Sequence, residues 1–164
     1  MKQSDTYYME IALDEARRAF RGGYSPVGAV LVGGETIIGI HQSTRQIGNI
    51  YHAELKALVD YQEKGVIYPD VVLYSTLEPC VMCVGMAAVL KVKRIAWIID
   101  DIWAGVSRVY NFKNEYVRTR FPKLDALGAL SAMNDIHAEC FHMWRVYLEQ
   151  TGHSDAIHYM LGVD

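Results

Sequence analysis

Apolar and polar positions recur along this chain with two different periods, and the switches between them predict its elements. From Tyr8 to Gly22, Ile11, Ala12, Ala16, Ala19 and Phe20 fall at helical spacing, with Asp14, Glu15, Arg17, Arg18 and Arg21 mostly on the other side. This is an amphipathic helix, ended by Gly22-Gly23. The apolar stretches 27–32 and 36–40 flank the Gly33-Gly34 pair, which predicts a β-hairpin with a glycine turn. Residues 41–51 lose periodicity and form a loop. From His52 to Lys64 the helical period returns, placing Glu54, Ala57, Leu58 and Tyr61 on one stripe. That stripe is otherwise apolar, and a carboxylate heading a buried stripe is costly unless something pairs with it. Glu54 is therefore expected to have a role.

The second half continues the alternation. Residues 71–77 are almost wholly apolar, a strand covered on both faces. Cys80 to Leu90 follows as a short helix with Pro79 at its start and no charge between Glu78 and Lys91, so it is expected to be buried. Residues 94–99 are the next strand. Residues 102–122 are irregular, with Trp103, Tyr110, Phe112, Tyr116 and Phe121 among them and room for a helix beneath a substrate-facing loop. A short strand fits within 124–132, and Asp135 to Gln150 is a helix with Ile136, Cys140, Met143, Trp144, Tyr147 and Leu148 on its apolar side. The last residues, from His153, extend this by at most a helical turn.

Strand, helix, strand, helix, strand implies parallel pairing through right-handed crossovers beside the leading antiparallel hairpin. The fold class is α/β, a mixed sheet with helices on both faces. Neither repeat nor linker interrupts the chain, so one domain spans 1–164, with its core at about 8–150 and a tail at 151–164. In such sheets ligands bind outside the carboxyl ends of the parallel strands, where helices begin. Both Pro79-Cys80 and His52 stand at helix starts.

Bulk properties narrow the classes further. A net charge of −3 over 164 residues argues against a surface broadly committed to nucleic acid, although a local basic groove is compatible with it. Three cysteines, two of them separated by only two residues, do not build a disulfide framework. The polar N-terminus carries no apolar signal region, and no apolar run approaches the roughly 20 residues that a membrane helix needs. A cytoplasmic, reduced protein with no membrane association is expected.

Cys80 and Cys83, at i and i+3 on the first turn of a helix, point their thiols the same way. A helix N-terminus favours the thiolate that metals bind. With His52 they make three ligands, and a zinc site with three protein ligands keeps its fourth position for water and makes hydroxide available near neutral pH. Glu54 stands close enough to carry that water's proton to a leaving group. Two alternatives compete. A redox Cys-x-x-Cys would not call for His52 and Glu54, and a structural zinc site would need a fourth ligand, for which Cys140 or another histidine is a source.

His52-Ala53-Glu54, then residues 55–78, then Pro79-Cys80-Val81-Met82-Cys83, resembles the signature of the zinc-dependent cytidine and nucleobase deaminase superfamily. The resemblance runs from about Met9 to Leu148 and looks toward the tRNA adenosine deaminase and guanine deaminase branch, through 26–32, 76–83, Asp101 with Gly105, and Glu139-Cys140. It implies a three-layer α/β/α cytidine deaminase-like fold around a five-stranded sheet, usually as a homodimer. It also implies one Zn2+ per chain held by His52, Cys80 and Cys83, with Glu54 as the catalytic proton shuttle. Backbone groups at Ala53 and Cys80 would position the substrate ring, water would add at the carbon bearing an exocyclic amine, and ammonia would leave.

Departures from the branch bear on the substrate. Where it usually carries an asparagine about ten residues before the histidine, the nearest equivalent is Gln42, expected at the substrate. Asn49-Ile50-Tyr51 replaces the usual Asp-Pro-Thr, and the bulky Tyr51 would reshape the pocket. From Tyr147 to Asp164 there is neither lysine nor arginine, which counts against a tRNA substrate. Arg108, Lys113, Arg118, Arg120 and Lys123 form a basic segment elsewhere, weighed as a solvated loop. Trp103, Tyr110 and Phe112 suit either base stacking or packing. A small amino-heterocycle (nucleobase or nucleoside) is the leading expectation, with tRNA or single-stranded DNA second. A catalytically silent binding subunit ranks third, because such proteins commonly lose the carboxylate that Glu54 retains.

Overall fold

The structure is a computed structural model and describes residues 3–44, 50–101, 103–109, 119–128 and 130–157. Its first helix, α1 (Asp5–Arg21), starts earlier than the apolar period predicts because Ser4 caps it: the Tyr7 N–H donates to Ser4 Oγ at 3.2 Å. The hairpin follows as β1 (Gly28–Gly33) and β2 (Thr36–Gln42), so β2 runs two residues past the predicted end at Ile40. Then come α2 (Ala53–Lys64), β3 (Val71–Leu77), α3 (Val81–Val89) and β4 (Arg94–Ile99). The irregular segment holds a short helix, α4 (Val106–Val109), and its residues 102 and 110–118, with Tyr110, Phe112, Lys113, Tyr116 and Arg118, lie outside the described ones. The short strand expected within 124–132 is β5 (Lys123–Ala126), and a 3-10 turn at Ser131–Met133 leads into α5 (Asn134–Gln150).

These strands form one mixed five-stranded sheet in the order β2-β1-β3-β4-β5. β3, β4 and β5 are parallel neighbours, as the crossover pattern requires. β2 and β3 are not neighbours. β1 lies between them, antiparallel to both, so the crossover through α2 skips a strand. Adjacent β1 residues show how the layers divide, since side chains alternate between faces. A side chain on Gly28 would meet the Ala12 carbonyl of α1 at 1.9 Å, so only glycine lets α1 lie this close. Ala29 pairs instead with Ser75, whose hydroxyl reaches Glu54 of α2. Thus α1 and α5 pack together on one face, and α2 and α3 on the other.

The core fills both interfaces, with Met9, Leu13 and Trp144 buried on the α1–α5 side and Leu58 and Val84 on the other. One helix departs from expectation. α3 buries Cys83, Val84 and Ala87 but exposes Met82 (41%) and Val89 (79%), so its unbroken apolar sequence covers a face that the chain itself does not bury. Among the described residues, no helix is long and apolar enough to cross a membrane.

Candidate metal centre

β3 ends at Leu77, and the chain turns through Glu78 and Pro79 directly into α3. Cys80 occupies the N-cap of α3 and His52 the N-cap of α2, both with extended backbone. Serine, threonine and the short acids are the residues that stabilise this position, by about 0.5–2 kcal/mol over a poor cap. Neither His52 nor Cys80 makes a side-chain capping bond. Two helices thus give up their caps at the same place, and the two side chains turn toward each other.

Cys83, one turn into α3, completes the cluster. His52 Nδ1 lies 3.8 Å from Cys80 Sγ and 3.6 Å from Cys83 Sγ, and the two sulfurs are 3.8 Å apart. Zinc bonds of about 2.3 Å to sulfur and 2.0–2.1 Å to nitrogen would set the edges of a tetrahedron at about 3.8 Å for S···S and about 3.6 Å for S···N. The three donors therefore match a zinc site. Cys80 is also prepared for it: the Cys83 thiol first, and His52 after it, hold its thiol down at about 3, which favours the thiolate. Cys140 does not join them. It is buried in α5 on the opposite face, where burial above all pushes its thiol up to about 12. Among the described residues the metal-binding group is His52, Cys80 and Cys83.

Glu54 sits in the first turn of α2 and is 3% exposed. Burial raises its carboxyl above the usual range, and the Ser75 hydroxyl of β3 donates to Oε1 at 2.9 Å, which fixes the carboxyl's orientation. A small pocket opens over this group, lined by His52, Ala53, Glu54 and Cys80. Four sequence-predicted residues thus share one cavity. Gln42 does not reach it: it pairs with Gly28 and so shares the α1 face of the sheet. Its neighbour Ser43, buried and tied by its N–H to the Val27 carbonyl at 2.8 Å, lines the pocket in that segment. Strand alternation carried one residue past Gln42 would have pointed to it.

Five further residues line the pocket. Val27 and Leu77 supply apolar surface, Glu78 the side of the metal turn, and Asp101 and Ala104 the side formed by the segment after β4. Leu77 and Glu78 adjoin the motif in the chain, whereas Asp101 and Ala104 stand beside it through the parallel pairing of β3 with β4.

Three donors and a buried carboxylate at the carboxyl edge of parallel strands define the class of zinc sites that keep one position for water. The chain belongs to the cytidine and deoxycytidylate deaminase zinc-binding family, whose model matches residues 2–99. The tRNA-specific adenosine deaminase of Aquifex aeolicus (strain VF5) is 34% identical over 114 residues, which is 66% of this chain and 76% of that protein. Relatives of the same name from Streptococcus pyogenes are 31–32% identical, and the match spans 58–66% of their length. A tRNA:A34 deaminase studied for A-to-I editing at the wobble position superposes with a TM-score of 0.67 at 28% identity, over 84% of this chain and 99% of that one. Guanine deaminase from Nitrosomonas europaea has the same fold, with a TM-score of 0.66 at 16% identity over 88% and 84% of the two chains.

Proposed function

We propose that this chain is a zinc-dependent hydrolytic deaminase whose substrate is an adenosine in tRNA. The observation that carries the substrate is its identity of 34% over 114 residues to a tRNA-specific adenosine deaminase. This reverses the order reached from the sequence, where a small amino-heterocycle came first.

Zinc held by His52, Cys80 and Cys83 supplies a Lewis acid that lowers the pKa of water toward 7. The chain's own groups do the rest. Glu54, whose proton affinity burial raises, takes a proton from water as a carboxylate and delivers it to the departing amine. Ser75 keeps that carboxyl in one orientation through both transfers. The Ala53 and Cys80 backbones and Ser43 border the place where the ring enters, and Val27 and Leu77 exclude water around it. The exposed apolar face of α3 supports a homodimer, and the protein works in the cytoplasm.

A free nucleobase or nucleoside remains the second reading, favoured by the lack of any lysine or arginine from Tyr147 to Asp164. Ammonia release from purified protein, assayed with tRNA, adenosine, guanine and cytidine at several salt concentrations, separates the two. Inosine formed in tRNA, with binding that weakens steeply as salt rises, is the expected result. Turnover of a free base with tRNA untouched would replace the proposal by the second reading.

A further inference from the structure

Glu78 has no part in the chemistry described so far, although it stands two residues before Cys80 and is only 1% exposed. A carboxylate so deeply buried persists only where its oxygens are satisfied. Here the Ser107 N–H donates to Oε1 at 2.7 Å and the Asp101 N–H donates to Oε2 at 3.1 Å. Both donors belong to the segment after β4 and not to the metal-binding turn that carries Glu78.

That segment is also closed on itself. Asp101 Oδ1 accepts from the N–H groups of Trp103 and Ala104, both at 3.0 Å, and the Gly105 N–H donates to the Asp101 carbonyl at 2.8 Å. It then docks on the metal turn: Cys80 and Gly105 form an isolated antiparallel bridge, and the Val106 N–H donates to the Pro79 carbonyl at 3.2 Å. Gly105 is required by this contact, since a Cβ there would lie 2.1 Å from Glu78 Oε2 and 2.3 Å from the Asp101 carbonyl. The docked segment contributes Asp101 and Ala104 to the pocket and leaves the Trp103 side chain 66% exposed next to them.

We propose that Glu78 is a positioning residue, which fastens Asp101 and residues 103–107 to the metal turn and thereby sets the substrate-facing wall of the pocket without touching the metal. Two backbone N–H donors call for two acceptor oxygens. Glutamine offers one oxygen and turns an NH2 against the other N–H, and aspartate falls a methylene short. The kinetic consequence rests on the deaminase reading, while the local structure does not.

The test compares wild type, Glu78→Gln and Gly105→Ala by amide hydrogen exchange, zinc content and steady-state deamination of tRNA and adenosine. For Glu78→Gln the expectation is about one zinc per chain and exchange at Asp101 or Ser107 about tenfold faster, the consequence of one buried unpaired donor. KM should rise about tenfold with kcat changed less. Gly105→Ala strains the same joint from the other side and should give the same signature, which keeps the test decisive if the first variant does not fold. Exchange that stays at the wild-type rate in the folded variants overturns the proposal. So does a lowered melting temperature with unchanged KM, because that describes a purely structural joint, and so does loss of zinc in both variants. If wild type deaminates neither substrate, the proposed function fails and the exchange measurement alone decides the role of Glu78.

Discussion

Two sets of carboxylates in this protein are held in opposite ways. At the metal edge, Glu54 takes a hydrogen bond from the Ser75 hydroxyl, and Glu78 and Asp101 take theirs from backbone N–H groups. On the side of α1 the partners are arginines. Arg94 grips Asp5 through two contacts of 2.8 Å and also binds Asp125, and Arg17 grips Glu139 through two contacts of 2.6 Å. Neutral donors orient a carboxylate without cancelling its field, whereas a guanidinium neutralises it and locks it in place. The difference follows from what each region must do. A centre proposed to hold a metal cation and pass protons calls for carboxyls that are oriented but not paired with a fixed cation; joints from α1 to the sheet and to α5 carry no such demand.

Removing the metal should break the first region most severely. Cys83→Ser takes away one of three ligands and is expected to cut bound zinc to below about a tenth per chain and to abolish ammonia release, checked by metal analysis beside the assay. Zinc retained at full occupancy would reject the ligand set. Glu54→Gln comes next: zinc should remain while kcat falls by about 10²- to 10⁴-fold, the usual contribution of a proton carrier. Because the substitution also removes a buried ionisable group, thermal stability should hold or rise. Turnover within tenfold of wild type would assign the shuttle to another group.

The arginine joints should behave in the reverse manner. Arg94→Ala leaves Asp5 and Asp125 without their shared partner and is expected to cost about 1–3 kcal/mol in denaturant unfolding, with kcat of the folded protein unchanged. Loss of activity beyond loss of folded protein would show that the two regions are coupled. The smallest effect belongs to Arg17→Ala, about 1 kcal/mol or less, since both partners are about a third exposed. Arg17, donating to both oxygens, holds the Glu139 carboxyl below the usual range. A lowered folded pKa gives stability that is present above the unfolded value, about 4.3, and is lost as pH falls through the folded one. The gap between wild type and Arg17→Ala should therefore be constant near neutrality and close in acid, as urea titrations at about pH 7 and pH 3 would reveal. A gap that widens in acid would contradict the pairing.

The amino-acid sequence by itself determined the order of helices and strands, the parallel β3–β4 core and the metal ligands. Those features are local: a period of two or 3.6 is written in neighbouring residues, and Cys80 and Cys83 converge because one helical turn separates them. Only the tertiary structure decided the rest. It set β1 between β2 and β3, turned Gln42 toward α1 and brought Ser43 to the pocket, because a single residue of strand register reverses the face of a side chain. It left Met82 and Val89 of α3 exposed, which an unbroken apolar run does not reveal. It also gave the buried carboxylates their partners. Ser75 lies 21 residues from Glu54 and Ser107 lies 29 from Glu78; the first bond exists only once α2 has packed on the sheet, and the second only once β3 and β4 lie side by side.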